Sequence, residues 1–293
     1  MSDFSFLENY NFSPNTKLAG VIGDPIAQSL SPYLHNYLLK KYKIDGIYIP
    51  LKVSTADFPK FLKTLPELGF AGCNVTMPHK EIALKLCDNL SESAKQIGAV
   101  NTITFEKNGK ISGDNSDHFG FIQNIKNTYP YFDFKNKKIL LLGAGGGALA
   151  IVFGLLKEGV ADIVIANRNF ERAQNLAKNF KNISVINWQE RSKNLAEFDI
   201  IINSTSLGMR DKERLEIDLV GLKKEALVCD IVYRPLMTDL LASAQKQSNL
   251  IVDGIGMLIY QGLIGFEKWF GVKPDVDQKL IDEMVGLSSK NSL

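Results

Sequence analysis

Short apolar segments alternate with amphipathic ones in the first part of the chain. The pattern predicts strands over 18–23, 47–51 and 72–76, because each is a short apolar run that ends near glycine or proline. Helices are predicted over 55–65, 80–87 and 91–97, and one begins at Ser31-Pro32 with Ser31 as N-cap. Residues 101–106 and 110–112 flank Asn108-Gly109, a strong turn pair, and are predicted to form a hairpin.

From Lys138 onwards the pattern changes to continuously apolar strands separated by helices. Strands are predicted over 139–142, 163–166, 184–186, 200–203 and 227–231, with helices over 147–157 and 170–179. This alternation is typical of a doubly wound parallel sheet. The tail after Asp253 is predicted to be helical, and residues 256–266 are apolar on nearly every side, so that helix should be buried.

Composition narrows the classes of protein to a globular one in a reducing compartment. The 293 residues carry a net charge of +2 and are 45% hydrophobic, which gives no reason to expect nucleic-acid or membrane partners. The three cysteines, Cys73, Cys87 and Cys229, have neither disulfide-framework nor zinc-ligand spacing. We therefore expect buried thiols, a cytoplasmic location and no metal.

A glycine-rich turn follows the first strand of the second half. Gly143-Ala144-Gly145-Gly146-Gly147-Ala148 fits G-x-G-x-x-A between an apolar strand and a helix, the context that gives this pattern its meaning. The glycines allow a sharp turn and close approach of backbone amides to a pyrophosphate, and the helix N-terminus favours negative charge. The turn predicts a dinucleotide site.

The next strand ends at Asn167 and Arg168, without the acid that binds the ribose hydroxyl of NAD. Arg168 and Arg172 are four residues apart, so at the start of a helix they should face the same side. A pair of guanidinium groups suits the 2′-phosphate of NADP, although two solvated surface arginines would give the same pattern. The sequence predicts NADP as the cofactor.

Candidate substrate residues lie upstream. Ser29 and Ser31 place two hydroxyls at a helix N-terminus, which suits a carboxylate but is equally expected of a simple cap. Asn74 and Thr76 share one face of a strand that ends in a proline turn. Lys80 follows in the first turn of a helix, where the macrodipole disfavours an ammonium group. Such a lysine is suited to proton transfer, with a surface lysine as the alternative.

Asn101-Thr102 and the loop 113–117 complete the polar segments of the first half. Asp117 lies at the expected domain junction, whereas Asp114 and Asn115 are better explained as turn formers.

These motifs together resemble the shikimate dehydrogenase family over about residues 18–271. The resemblance is carried by segments that occur in the family's order: Ser29-x-Ser31, Asn74-Val-Thr-x-Pro-x-Lys80, Gly98-Ala-Val-Asn101-Thr102, Gly113-Asp-Asn-Ser-Asp117, Gly143–Ala148, Asn167-Arg168 and Gly256-Met257-Leu258-x-x-Gln261.

The resemblance implies an α/β fold of two domains. An N-terminal α/β substrate domain would comprise 1–117 plus 255–293, and a Rossmann-type doubly wound NADP-binding domain 118–254. The final helices would pack back on the substrate domain.

The resemblance also implies roles for individual residues. Lys80 and Asp117 would be catalytic. The substrate-binding residues would be Ser29, Ser31, Asn74, Thr76, Asn101, Tyr233 and Gln261, the two serines holding a carboxylate. The cofactor-binding residues would be Gly143, Ala144, Gly145, Gly146, Gly147, Ala148, Asn167, Arg168, Arg172, Gly254 and Met257.

Four positions depart from the family's usual pattern. His118 stands where glycine usually follows the aspartate, and Ser116 replaces a threonine. Asn169 replaces the threonine after Asn-Arg, and Arg234 the asparagine of Tyr-Asn-Pro. None removes a residue assigned to chemistry, and His118 is expected to lie on the surface at the start of a helix.

The function implied is the reversible NADPH-dependent reduction of 3-dehydroshikimate to shikimate, in the chorismate route to aromatic amino acids, by a monomer or homodimer. A quinate/shikimate dehydrogenase and a non-catalytic NADP- or metabolite-sensing protein remain alternatives. A methylene-tetrahydrofolate dehydrogenase-like enzyme would share the domain plan but not the Ser-x-Ser site.

Overall fold

The computed structural model describes residues 12–178 and 180–289. The chain forms two compact units. One ends at Ser116 and resumes at Leu258, and the other runs from Asp117 to Met257. The boundaries predicted from the sequence lie after 117 and after 254.

The first unit is an α/β structure built on a mixed sheet. Its described elements are β1 (Lys17–Gly23), α1 (Ser31–Lys41), β2 (Gly46–Lys52), α2 (Phe58–Thr64), β3 (Phe70–Val75), α3 (Lys80–Leu86), β4 (Asn89–Leu90), α4 (Glu92–Ile97), β5 (Thr102–Phe105), β6 (Ile111–Asp114) and, after the second unit, most of α9 (Ile255–Phe270) and α10 (Gln278–Ser289).

The strand order of this sheet is β2-β1-β3-β5-β6-β4. β1 is parallel to both β2 and β3, whereas β5 is antiparallel to both β3 and β6. The carboxyl ends of β1 and β3 therefore lie side by side, with Ile22 opposite Val75. The loops that leave these two ends carry Ser29 and Thr76, and the helices that follow them begin at Ser31 and Lys80.

Helices cover both faces of the first sheet, as the alternation of side chains along β2 shows. Ile49 packs into an apolar cluster with Phe58 and Leu62 of α2. Tyr48, its neighbour, turns to the opposite face and stacks on His35 of α1, with the ring centroids 3.9 Å apart. Trp269 of α9 closes this second layer, because its indole nitrogen donates 2.8 Å to the carbonyl of Ile103.

The second unit is built on a parallel sheet. Its described elements are α5 (Asp117–Thr128), β7 (Lys138–Leu142), α6 (Gly146–Lys157), β8 (Asp162–Asn167), α7 (Phe170–Ala177), β9 (Ile183–Asn187), two short 3₁₀ helices (Trp188–Glu190 and Leu195–Glu197), β10 (Ile200–Asn203), β11 (Leu227–Asp230), α8 (Asp239–Lys246) and β12 (Leu250–Val252).

The strand order is β12-β11-β10-β7-β8-β9, and neighbouring strands are parallel. Counted from β7, this is the 3-2-1-4-5-6 order of dinucleotide-binding sheets. Side chains of β7 alternate between two buried clusters, Ile139 and Leu141 on one face and Leu140 and Leu142 on the other. The doubly wound sheet predicted from the apolar strands is confirmed. The order reverses between β7 and β10, which makes their carboxyl ends the switch point where ligands bind in such folds.

Two predictions about residues at helix N-termini are wrong. Helix α1 already includes Ser31, and its N-cap is Leu30, which makes no side-chain cap. Helix α7 begins at Phe170 after the N-cap Asn169, so Arg168 precedes the helix and does not share a helical face with Arg172. Helix α1 thus starts one residue earlier than a cap at Ser31 would require, whereas α7 starts at residue 170 as predicted.

Candidate functional site

The loops at the carboxyl edge of β1 and β3 hold one another by backbone hydrogen bonds. The amide of Asp24 donates to the carbonyl of Met77 at 3.1 Å, and the amide of Thr76 donates to Ile22 at 2.9 Å. The two loops therefore leave the sheet as a joined pair, and Thr76 is half-buried directly beyond β3.

Ser29 and Ser31 lie next to each other where the first of these loops enters α1. Ser29 Oγ accepts a hydrogen bond of 3.3 Å from the amide of Ser31. Ser31 is buried and Ser29 half-buried. The two serines lie together at the start of a helix, as predicted from the sequence, but Ser31 is the first helical residue and not the cap.

Lys80 is the first residue of α3 and is half-buried. Its carbonyl accepts a hydrogen bond of 3.0 Å from the amide of Val100, and the carbonyl of Asn101 accepts one of 2.8 Å from Val75. These bonds place the start of α3 beside the segment that carries Asn101. A lysine and an amide side chain are thus held at one edge of the first sheet.

The neighbouring His79 belongs to the core. Its ring stacks on Phe58 with centroids 4.4 Å apart, and Nε2 lies 2.9 Å from the carbonyl oxygen of Val53. Burial lowers the pKa of His79, so the ring is neutral near pH 7.

A buried polar network joins three of the predicted substrate residues. Asn74 Nδ2 donates to the carbonyl of Asn101 at 3.1 Å and to Thr102 Oγ1 at 3.3 Å. Asn101 Nδ2 donates to Gln261 Oε1 at 3.3 Å and to Ser116 Oγ at 3.1 Å. All five side chains are nearly inaccessible to solvent. The amide side chains of Asn74, just before the end of β3, Asn101, just before β5, and Gln261 of α9 therefore belong to one polar network whose geometry is fixed within the first unit.

The loop from Gly113 to Asp117 is also fixed internally. Burial raises the pKa of the Asp114 carboxyl, but hydrogen bonds from Ser91 and Lys268 outweigh it and bring the pKa to about 2. Asn115 Nδ2 donates 2.9 Å to the carbonyl of Ala99. Asp114 is the last residue of β6 and Asn115 follows it outside any turn, so both are held by distant segments and are not the turn formers that the sequence suggested. Asp117 is the buried first residue of α5 and belongs to the second unit.

In the second unit, the glycine turn connects β7 to α6 at the switch point of the sheet. Gly143 has φ +108°, and a Cβ atom placed there would lie 2.7 Å from Ser204 Oγ. Gly145 is the N-cap of α6 and offers no side-chain cap to the first helical amides. A turn without side chains at a helix N-terminus fits the pyrophosphate of a dinucleotide.

The residues after β8 are polar and largely exposed. Asn169 Oδ1 accepts a hydrogen bond of 2.9 Å from the amide of Arg172, and Asn167 Nδ2 donates 2.7 Å to the carbonyl of Asn169. The guanidinium of Arg172 reaches towards the glycine turn, because Nη2 lies 4.0 Å from a Cβ placed on Gly145. Asn169, which departs from the family's threonine, thus still caps the helix.

The last predicted cofactor residues lie near β11 and β12. Gly254 packs against the backbone after β11, where a Cβ atom would lie 2.3 Å from the carbonyl oxygen of Ile231. Met257 is buried and Tyr233 half-buried. His118 is half-buried and meets Phe153 edge-to-face at 5.0 Å, so its expected position on the surface is wrong. Its ring packs between α5 and α6 because the position faces the neighbouring helix.

Three family models match successive parts of this chain. They describe the shikimate dehydrogenase substrate binding domain over 21–103, shikimate / quinate 5-dehydrogenase over 125–233 and the shikimate 5′-dehydrogenase C-terminal domain over 254–278. The chain belongs to the shikimate dehydrogenase family. The resemblance stated from the motifs is confirmed.

Curated and solved members of the shikimate dehydrogenase family cover nearly the whole chain. The NADP(+) shikimate dehydrogenase of Roseobacter denitrificans is 45% identical over 260 residues, which are 88% of this chain and 94% of the relative. Shikimate 5-dehydrogenase from Thermus thermophilus, in complex with NADP(H) and shikimate, is 31% identical with a TM-score of 0.82 and covers 93% of this chain and 99% of that one. Quinate dehydrogenase from Corynebacterium glutamicum, in complex with NAD, is 29% identical with a TM-score of 0.83, covering 93% and 98%.

Some residues that shape these sites were given no role in the sequence analysis. Thr102, Ser116 and Tyr48 belong to the polar network of the first unit, and Ser204 and Thr205 pack against Gly143 in the second. Polar residues directly beyond β10, at the switch point, were a signal that could have indicated Ser204 and Thr205.

Two further features of the described residues bear on the class of protein. None of the helices in the described ranges is long and apolar enough to cross a membrane. Across residues 12–178 and 180–289, histidines, cysteines and acids form no cluster of three or more suited to holding a metal ion.

Proposed function

We propose that this member of the shikimate dehydrogenase family reduces 3-dehydroshikimate reversibly to shikimate with NADPH, in the chorismate route to aromatic amino acids. The observation that carries the proposal is the edge of the first sheet. There, the serine pair, Thr76, Lys80 and the amide network stand on loops, strands and helices that hydrogen bonds connect. A carboxylate, several hydroxyls and one reacting carbonyl are the groups that such a set suits.

In this proposal the first unit binds the substrate by its polar groups. Ser29 and Ser31 bind the carboxylate through their hydroxyls. Thr76, Asn101 and Gln261 bind ring hydroxyls. Asn74 holds Asn101 in position by donating a hydrogen bond to its backbone carbonyl. Because the amides are already hydrogen-bonded to one another, little conformational entropy is lost when a substrate binds.

The second unit holds the cofactor in this proposal. Gly143, Ala144, Gly145, Gly146, Gly147 and Ala148 receive the pyrophosphate at the start of α6. Asn167 ends β8, Arg168 follows it and Arg172 lies in the first turn of α7. The adenosine ribose binds at this strand end in this fold, and two guanidinium groups suit a 2′-phosphate. Tyr233, Gly254 and Met257 line the nicotinamide or substrate end.

When bound, NADPH would supply the hydride for reduction of the ketone carbon. Lys80 transfers a proton to the carbonyl oxygen as it becomes a hydroxyl, and a proton from solvent then restores the ammonium. Asp117 holds a neighbouring hydroxyl of the ring by accepting its hydrogen bond. The protein otherwise contributes orientation, because hydride transfer is chemistry of the cofactor.

The test is steady-state NADPH oxidation with 3-dehydroshikimate. We expect saturable turnover whose reverse reaction reduces NADP⁺ with shikimate. Measuring kcat/KM for shikimate and quinate, each with NADP⁺ and NAD⁺, decides between the proposed activity and a quinate/shikimate dehydrogenase. The shikimate and NADP⁺ pair should have the highest value of the four. A higher value for quinate with NAD⁺ would contradict the proposal.

A sensing protein would give a different result in the same assay. It would show no NADPH oxidation, while NADP⁺ and shikimate would still raise the melting temperature through binding. We assign catalysis because a lysine at the edge of a polar, hydroxyl-binding surface serves proton transfer and is not needed for sensing.

Location and assembly complete the proposal. We propose a cytoplasmic enzyme, since Cys73 and Cys229 are buried thiols and Cys87 is a half-buried one. A monomer and a homodimer are both compatible with the sequence, and the sedimentation velocity of the purified chain distinguishes them.

A further inference from the structure

An ion pair connects the two loops that flank the glycine turn of the second unit. Arg168 Nη1 lies 3.0 Å from Glu213 Oε2. Arg168 directly follows β8, whereas Glu213 lies in the connection between β10 and β11. The carboxylate of Glu213 thus comes from a segment well separated in sequence from Arg168, whose charge it neutralises.

The sheet order determines where this pair lies. β10 and β8 are the two neighbours of β7, so their carboxyl ends stand on either side of the turn at Gly143. Adjacent strands are about 4.8 Å apart, so β8 and β10 are roughly 10 Å apart. A contact between residues that follow these two strands therefore crosses over the end of β7, which lies between them. The Arg168–Glu213 pair therefore bridges the side of the sheet from which the adenosine half of a dinucleotide enters.

Glu213 is held in place by the folded loop that contains it. Its carbonyl accepts a hydrogen bond of 2.8 Å from the amide of Gly208, and the amide of Lys212 donates 3.0 Å to the carbonyl of Met209. These bonds fix the backbone at Glu213, so its side chain starts from a defined point within reach of Arg168.

We propose that Glu213 is a specificity-determining residue that competes with the cofactor's 2′-phosphate for Arg168. The inference rests on the proposed NADP site. A 2′-phosphate that binds the Arg168 fork must displace the carboxylate, and the two anions repel each other if both remain close. NAD(H) has no 2′-phosphate and leaves the pair intact. Glu213 thus weakens the binding of NADP(H) and leaves that of NAD(H) unchanged, so it lowers the ratio of the two affinities.

The size of the effect follows from exposure. The Arg168 and Glu213 side chains are 60% and 77% exposed, so solvent screens their attraction and the pair is readily displaced. Losing an exposed ion pair of this kind changes an equilibrium constant, here the dissociation constant of the cofactor, by about 2- to 5-fold. The carboxylate adjusts affinity and does not block the site.

The test is calorimetric binding of adenosine 2′,5′-bisphosphate and of 5′-AMP, two probes that differ by the 2′-phosphate alone. Glu213→Gln should bind the bisphosphate about 2- to 5-fold more tightly than the unsubstituted protein, with AMP unchanged. The gain should shrink as salt is raised. Glu216→Gln is the matched control, because it removes the same charge from an exposed residue of the same connection. Arg191 Nε donates to the backbone carbonyl of Glu216, which this substitution leaves in place. This control should change neither affinity.

Combining the substitution with Arg168→Ala tests the cause. In the Arg168→Ala background, Glu213→Gln should no longer tighten the bisphosphate, since the group for which the anions compete is absent. An unchanged or weaker bisphosphate affinity in the single Glu213→Gln variant overturns the inference. If the unsubstituted protein already binds both probes equally, the proposed 2′-phosphate site fails as well, and the two failures are thereby distinguished.

Discussion

The hydroxyl of Tyr48 donates a hydrogen bond of 2.7 Å to Oδ1 of Asn74 inside the first unit. The amide nitrogen of the same asparagine donates to Asn101 and Thr102, so its orientation is fixed from both ends. Burial raises the pKa of Tyr48 well above its usual value and lowers that of the stacked His35 to about 3. Both rings are therefore neutral over the working pH range, and Tyr48 remains a donor.

Removing this hydroxyl should disturb substrate binding through Asn74. Tyr48→Phe leaves a buried amide oxygen without its donor, which costs about 1–3 kcal/mol of unfolding free energy. An asparagine free to rotate orients Asn101 less well, so KM for 3-dehydroshikimate should rise several-fold while KM for NADPH stays constant. Urea unfolding and steady-state kinetics measure the two effects.

Tyr131→Phe is the matched control for that variant, because Tyr131 is 99% exposed. It should alter neither stability nor KM. If Tyr48→Phe lowered stability but left the substrate KM unchanged, Asn74 would be a structural residue and not one that orients the substrate-binding amides.

The lysine at the start of α3 gives the second prediction. Lys80→Ala should lower kcat by about 10²–10⁴, the usual contribution of a positioned acid–base group, with a smaller effect on KM. Lys85→Ala, in the exposed last turn of the same helix, serves as control and should retain full turnover. Near-normal turnover by Lys80→Ala would remove the lysine from the proposed mechanism.

Local patterns were sufficient to predict the strand, turn and helix that we propose to bind the cofactor. The apolar residues of β7, the glycine turn and α6 are contiguous in sequence, and each has a local physical cause. Helix α8 and the edge strand β12 were not predicted, because their apolar residues are few and they depend on packing against β11. The order of strands in the sheet likewise follows from long-range pairing.

The substrate half was harder to predict because its parts are distant in the chain. Asn101 and Gln261 are 160 residues apart and yet hydrogen-bonded. Single motifs indicated each residue, but no local pattern states that Asn74, Asn101 and Gln261 form one network. Tyr48 was missed for the same reason, since a tyrosine in an apolar strand is ordinarily interpreted as core.

Arg172 carries the third prediction, which concerns cofactor choice. It lies in the first turn of α7, just after the end of β8 where the adenosine ribose binds in this fold, so Arg172→Ala should raise KM for NADPH about tenfold, as expected for the loss of a hydrogen bond to a charged group. KM for NADH should not change. Lys178→Ala, which removes an exposed positive charge just beyond the other end of α7, should leave both values unchanged. Equal effects of Arg172→Ala on the two cofactors would place the side chain elsewhere than at the 2′-phosphate.

Asp230, at the carboxyl end of β11, gives the last prediction. Burial raises the pKa of its carboxyl to about 7, and hydrogen bonds from Val232, Thr238 and Asn203 only partly offset that effect. The folded protein therefore binds this proton more tightly than the unfolded chain does. Between about pH 4 and pH 7, Asp230 should make the protein less stable as the pH rises, by up to an amount on the order of 4 kcal/mol.

The measurement is the free energy of unfolding in urea at several pH values across that window. Asp230→Asn cannot titrate, so the fall in stability from pH 4 to pH 7 should be smaller than in the unsubstituted protein, even if the variant is less stable overall. Asp162→Asn, at an exposed position at the start of β8, should keep the original pH dependence. If Asp230→Asn retained it as well, Asp230 would be ionised throughout, and its three hydrogen-bond donors would outweigh its burial.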